Sequence, residues 1–125
     1  ERGFVTYSNQ AKVEMLGVDP ALLDAHGAVS EAVALAMVQG ALARSAADWA
    51  VAVTGIAGPG GAVPGKPVGT VWLALGGKAQ PPVAHLLQLD GDRHAVRWQT
   101  VQAALAALCA VLEPNAASRS SGGRT

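Results

Sequence analysis

Apolar and polar positions fall into blocks along this 125-residue chain, and turn-forming residues mark most of the boundaries. Gly3 to Tyr7 carries four β-formers in a row (Phe4, Val5, Thr6, Tyr7), which predicts a strand. It ends at Ser8-Asn9, two residues able to cap a helix, and Asn9 to Leu16 reads as a short helix stopped by Gly17. Asp19-Pro20 puts an acceptor at a cap and proline at the first helical position, opening a second short helix that Gly27 closes. Ser30 caps a longer helix, with Val33, Met37 and Val38 on one face, running to about Ser45. Residues 49–53 form a continuous apolar run, as in a strand covered on both faces, with Thr54 at its C-terminal end. Val68 to Leu75 and Val83 to Leu89, the latter after Pro81-Pro82, predict two more strands. Asp92 starts the longest helix, through Val96, Val101, Leu105, Leu108 and Leu112 to near Pro114. The resulting order, β-α-α-α-β-β-β-α, predicts a layered α/β domain with a mixed sheet over residues 1–113, followed by a disordered tail at 114–125 rich in Ser, Gly and Arg.

The connection from Gly55 to Pro67 holds five glycines and three prolines, which argues against regular structure there. Such a connection is long against a median of about 4–6 residues, and long loops are usually functional or disordered. Its place after a strand's C-terminal end favours a ligand-facing role over a flexible connector. Gly60 to Lys66 spells G-x-x-x-x-G-K, but the next residue is Pro67 where a phosphate-binding loop needs Ser or Thr, and a strand follows instead of a helix. That match is accidental.

Composition narrows the function classes. Nine Lys+Arg balance nine Asp+Glu, so no broad electrostatic attraction to nucleic acid or to an anionic membrane surface is expected. Cys109 is the single cysteine, which excludes an internal disulfide and a cysteine-based zinc site; on its apolar helix it reads as a packed, inert thiol. His26, His85 and His94 lack zinc-site spacing, so no metal is expected. Trp49, Trp72 and Trp98 read as core rather than stacking residues. No uninterrupted apolar run reaches the ~18 residues of a membrane span, and a cytoplasmic protein is expected. The chain starts without Met and almost inside a strand pattern, as a fragment would.

Lys12 falls in the first turn of the first predicted helix, where unpaired amides disfavour an ammonium and lower its pKa, as a lysine acting as general base requires. A solvated surface lysine is the other reading of the same spacing. Tyr7 would stand beside it, while Ser8 is better explained as a cap than as a partner of Lys12. Arg93 sits in the first turn of the last helix, better placed beside a bound anion than against the helix dipole, unless it pairs with Asp90 or Asp92.

Four segments together carry a resemblance: Glu1-Arg-Gly-Phe-Val-Thr-Tyr-Ser-Asn-Gln-Ala-Lys12, His26-Gly-Ala-Val-Ser30, Val53-Thr-Gly-Ile-Ala-Gly-Pro59 and Lys66-Pro-Val-Gly-Thr-Val-Trp72. In this order they resemble the C-terminal domain of the competence/damage-inducible CinA family, whose members include stand-alone nicotinamide-nucleotide amidases. The resemblance runs from Glu1 to about Leu112. It implies a three-layer α/β/α domain that hydrolyses nicotinamide mononucleotide to nicotinic acid mononucleotide and ammonia, without a cofactor, in pyridine-nucleotide (NAD) salvage. It further implies that Lys12 pairs with a serine nucleophile, that Tyr7 supports the site, and that Thr54 lies at the substrate with Arg93 near its phosphate. Asn9 and the loop glycines Gly55 and Gly58 are the remaining candidate substrate contacts, with loop amides near Thr54 and Gly55 as candidate oxyanion donors.

The family's nucleophile sits in a Glu-Ser-Cys-Thr-Gly-Gly-like strand-to-helix turn upstream of the tyrosine, and no such segment occurs in these residues. The expectation is therefore a domain lacking its first strand–helix unit and inactive by itself, in a parent that is an amidase. The rival expectation is a non-catalytic nucleotide-binding or assembly module. A small-molecule partner is expected, and an Ala-rich helix beside an unfinished sheet makes a homo-oligomer plausible.

Overall fold

The computed structural model describes residues 1–112; the tail expected at 114–125 lies outside the described residues. The elements run α1 (Asn9–Leu16), α2 (Pro20–His26), α3 (Glu31–Ala43), β1 (Trp49–Gly55), β2 (Thr70–Gly77), β3 (Gln80–Gln88) and α4 (Arg93–Leu112). Each helix begins where the sequence offers a side-chain acceptor for an orphan amide. Ser8 Oγ accepts from the Ala11 amide at 3.0 Å, Asp19 Oδ1 from Ala21 at 2.9 Å, Ser30 Oγ from Val33 at 3.3 Å, and Asp92 Oδ1 from Ala95 at 2.9 Å. At the other end of α1, Gly17 takes the left-handed conformation (φ 68°), and its amide returns to the Val13 carbonyl at 3.0 Å.

The three strands pair in the order β1-β2-β3. Thr54 lies opposite Trp72, and Leu73 opposite His85. Both pairings are antiparallel, so the parallel pairing of a mixed sheet is not found among the described strands. The connections explain this: parallel neighbours need a crossover, usually a helix, whereas β2 turns straight into β3 and only the glycine–proline loop joins β1 to β2. Pro81 and Pro82, expected to precede β3, lie inside it, which an edge strand tolerates. The strand expected at Gly3 to Tyr7 does not form. Propensity alone cannot make a ladder, and no described segment is paired with those residues.

Helices cover both faces of the sheet. Ala52 and Ala74 offer small side chains to α3, and Val33, Ala34 and Val38 are fully buried against that face. Each such valine contributes about 1.5–3 kcal/mol of hydrophobic stabilisation. Alternation turns Val71, Leu73 and Leu75 to the opposite face, where α4 packs on β1 and β2. Val96 is the one buried residue of α4. Trp98, expected in the core, is 59% exposed, and Cys109, expected to be packed, is also exposed, because both lie on the outward side of α4. Within the 20-residue α4, the most apolar 18-residue stretch has a mean hydropathy of 1.3, enough by length and composition alone to cross a membrane. Arg97, Gln99, Thr100 and Gln102 nevertheless interrupt its apolar run.

The α1 helix lies directly on α3. A Cβ at Gly40 would collide with the Leu16 carbonyl oxygen, so glycine permits this approach. Arg44 Nη1 donates to that same carbonyl at 3.2 Å, and Arg2 Nη1 donates to the Arg44 carbonyl at 2.8 Å. The N-terminal segment is thus held beside the end of α3. The loop from β1 to β2 is more ordered than its composition suggests. Val63 and Lys66 bridge around Pro64-Gly65, and Lys66 Nζ donates to the His26 carbonyl at 2.6 Å, at the partially negative end of α2.

Candidate active site

The side chain of Lys12 projects from α1 into the interior and is only 6% exposed. Its Nζ donates to the Thr6 carbonyl at 2.8 Å, and no carboxylate neutralises it among the described residues. Burial pushes its pKa below the ordinary 10.5. The direction is the one expected from the helix end, but desolvation is the cause. An amine of this kind gives up its proton more readily than a solvated lysine and accepts one from a weak acid placed against it.

A cavity of about 980 Å³ opens in front of this amine. Residues 1–7 form one wall and β1 from Trp49 to Gly55 another, with Arg93, Arg97 and Leu108 of α4 alongside. The structure therefore gathers Tyr7, Lys12, Thr54, Gly55 and Arg93 around one space. Asn9 and Gly58 stand outside its lining; Asn9 is exposed in the first turn of α1. Tyr7 is at the rim, 92% exposed, and the hydrogen-bond partner of Lys12 is the neighbouring Thr6 carbonyl. A second, shallower hollow of about 570 Å³ lies at the β2–β3 turn, and Lys78 is its one charged lining residue.

Thr54 is buried, and its Oγ1 donates to the Ala28 carbonyl at 2.8 Å, tying the end of β1 to the turn before α3. Thr54→Val should cost about 1–3 kcal/mol, because it leaves a part-buried carbonyl without a donor, while Thr54→Ser should largely restore stability. Urea unfolding of the two variants checks this. Equal stability of the valine variant and wild type would show that the bond does not matter. At the start of the loop the Ile56 amide donates to the Thr70 carbonyl at 2.9 Å, so it is already engaged, whereas Ala57 lines the cavity. Arg93 Nη1 donates to the Gly58 carbonyl at 3.1 Å.

Cations dominate the lining: Arg2, Lys12, Arg93 and Arg97 face the space, against the single carboxylate of Glu1. Arg97 is not among the residues expected from the sequence. Its one signal there is the spacing of four from Arg93, which repeats a position on one side of a helix.

The C-terminal domain model of CinA matches residues 1–112, and the chain belongs to that family. Among its relatives, a nicotinamide-nucleotide amidohydrolase PncC of Pseudomonas putida is 56% identical over 105 residues, covering 84% of this chain and 65% of the relative. A CinA-like protein of Chlorobaculum tepidum is 52% identical over 110 residues, covering 85% of this chain. The present chain spans 26% of that protein's length. A solved structure of the competence/damage inducible protein CihA from Agrobacterium tumefaciens superposes with a TM-score of 0.86 at 50% identity, covering 90% of this chain and 68% of the other. The three-stranded antiparallel sheet with four helices matches CinA-superfamily structures.

Proposed function

We propose that this chain is the lysine-bearing part of a cytoplasmic amidohydrolase that converts nicotinamide mononucleotide to nicotinic acid mononucleotide and ammonia. The observation that carries the reading is Lys12, buried, lowered in pKa and open to a cavity that also holds Thr54 and Arg93. The amidohydrolase name of the Pseudomonas putida relative supports the substrate class.

In this reading neutral Lys12 Nζ takes the proton of a serine hydroxyl as the serine oxygen bonds to the carboxamide carbon. The resulting ammonium returns the proton to the leaving nitrogen, the carbon–nitrogen bond breaks, and ammonia departs. Water then cleaves the acyl-serine ester with Lys12 again accepting the proton, and the carboxylate product is released. Ser45 lines the cavity, but its hydroxyl donates to the Ala41 carbonyl at 2.7 Å, far along the chain from Lys12. As the family resemblance implies, the reading takes its serine nucleophile from a segment outside the described residues. The cavity offers room for one: among the described residues β1 pairs only with β2, so its other edge faces the space that residues 1–7 bound from the far side. An extended segment seated there would end beside Lys12 and Thr54. The chain alone is then inactive.

The test is ammonia release from nicotinamide mononucleotide. It compares the 125-residue chain with a chimera in which the residues preceding the matched region of the Pseudomonas putida relative are placed ahead of Glu1. No release from the chain and turnover by the chimera are expected. Turnover by the chain alone would remove the need for an added nucleophile. Mononucleotide binding by the chimera without turnover would favour a binding or assembly module.

A further inference from the structure

We infer that Arg97 carries the anion contact of this site and that Arg93 is a positioning residue for the glycine–proline loop. The inference rests on the mononucleotide reading and divides the work of its phosphate end between two arginines.

Both side chains line the cavity from the first two turns of α4, one helical turn apart. Their surroundings differ. Arg93 Nη1 is engaged with the Gly58 carbonyl, part-buried and 35 residues away in sequence, which joins the start of α4 to the loop. Both residues are exposed, but Arg97 makes no hydrogen bond or ion pair to any described residue. The other lining cations also have protein acceptors: Arg2 binds the Arg44 carbonyl, and Lys12 binds the Thr6 carbonyl. Among the described residues, Arg97 is thus the lining cation whose whole donor fork is available to a ligand. A planar guanidinium with paired N–H groups suits two oxygens of a phosphate monoester, and an ammonium does not reproduce that geometry. Arg93 acts through the Gly58 backbone, so it shapes the space for every ligand whether or not a phosphate is present.

The assignment makes two variants behave differently toward nicotinamide mononucleotide and toward nicotinamide riboside, which lacks the phosphate. Isothermal titration of the serine-bearing chimera in its Lys12→Met form, which completes the site without turnover and is the wild type of this comparison, reads both affinities. Wild type should prefer the mononucleotide, by about tenfold or more for a charge-assisted phosphate contact. Arg97→Gln should remove most of that preference and leave riboside affinity within about twofold, with Arg97→Lys intermediate. Arg93→Gln should weaken both ligands by similar factors and preserve the preference. Loss of the preference in Arg93→Gln but not in Arg97→Gln would overturn this assignment while the mononucleotide reading stands. Equal affinity of wild type for the two ligands, or binding of neither, would overturn both.

Discussion

Lys12→Met is expected to lower turnover and raise stability in the same protein. In the chimera that carries a serine segment, removing the general base should reduce kcat by about 10²–10⁴-fold. Stability moves the other way because the amine is buried at a cost. Its folded-state pKa lies below the 10.5 of a solvated lysine, and desolvation is the reason. Between the folded value and 10.5 the unfolded chain binds more protons than the folded one, so stability rises with pH across that window. Below the folded value the whole penalty is present, and above 10.5 it has vanished. Methionine fills a similar volume without a charge, so at neutral pH the variant should melt a few degrees higher, and the difference should shrink as pH climbs toward 10.5. The substitution removes one hydrogen bond, to the Thr6 carbonyl, and that acceptor belongs to a half-buried residue that water can reach. Thermal unfolding across pH measures the stability arm. A lower melting temperature for Lys12→Met at neutral pH would mean that the Thr6 carbonyl stabilises a charged amine, and the base assignment would fall. The turnover arm has a matching signature: activity of the chimera should rise with pH through the lowered Lys12 pKa, as the uncharged fraction grows.

Such a lysine is legible in the sequence only as far as its cause is local. The caps at Ser8, Asp19, Ser30 and Asp92 are readable because a cap is a contact between residues two or three apart. The apolar run at 49–53 becomes β1, although it is not covered on both faces as expected, since Val53 is exposed; the helix face of Val33, Met37 and Val38 becomes the buried centre because burial there follows the helical period. The strand expected at Gly3 to Tyr7 depends on a neighbour, and local propensity carries no information about one. The lowered pKa of Lys12 follows in direction from the helix end. Its cause is burial of the face of α1 that carries Lys12 and Leu16, and Leu16 meets Gly40 of α3, more than twenty residues away in sequence. Arg93 stands out by its helix position, yet the acceptor it holds lies in a loop 35 residues upstream. Arg97 carries no local motif at all. What the sequence conceals in this site is the set of partners that distant segments bring to each side chain.

Gly40→Ala tests how closely that packing is set. In an exposed helix interior, alanine is favoured over glycine by about 1 kcal/mol. At Gly40 the sign should reverse, because the added methyl meets the Leu16 carbonyl oxygen, a backbone atom that cannot rotate away. The same carbonyl accepts from Arg44, and α1 ends one residue later at Gly17, so the obstacle is held from two sides. Relief requires α1 to lift from α3, which opens the core around Leu16 and Val18, 4% and 1% exposed. A net loss of about 2–3 kcal/mol is expected from overpacking of this kind, or roughly a 10 °C fall in the melting midpoint. Gly40→Ser should cost at least as much. The displacement reaches the candidate site as well, because Lys12 rides on α1: lifting the helix rehydrates the amine and moves its pKa back toward 10.5, which NMR titration of the lysine side chain would read. A variant that melts higher than wild type, with the lysine unchanged, would show that the two helices stand far enough apart for a methyl, and that the burial of Lys12 does not depend on this glycine.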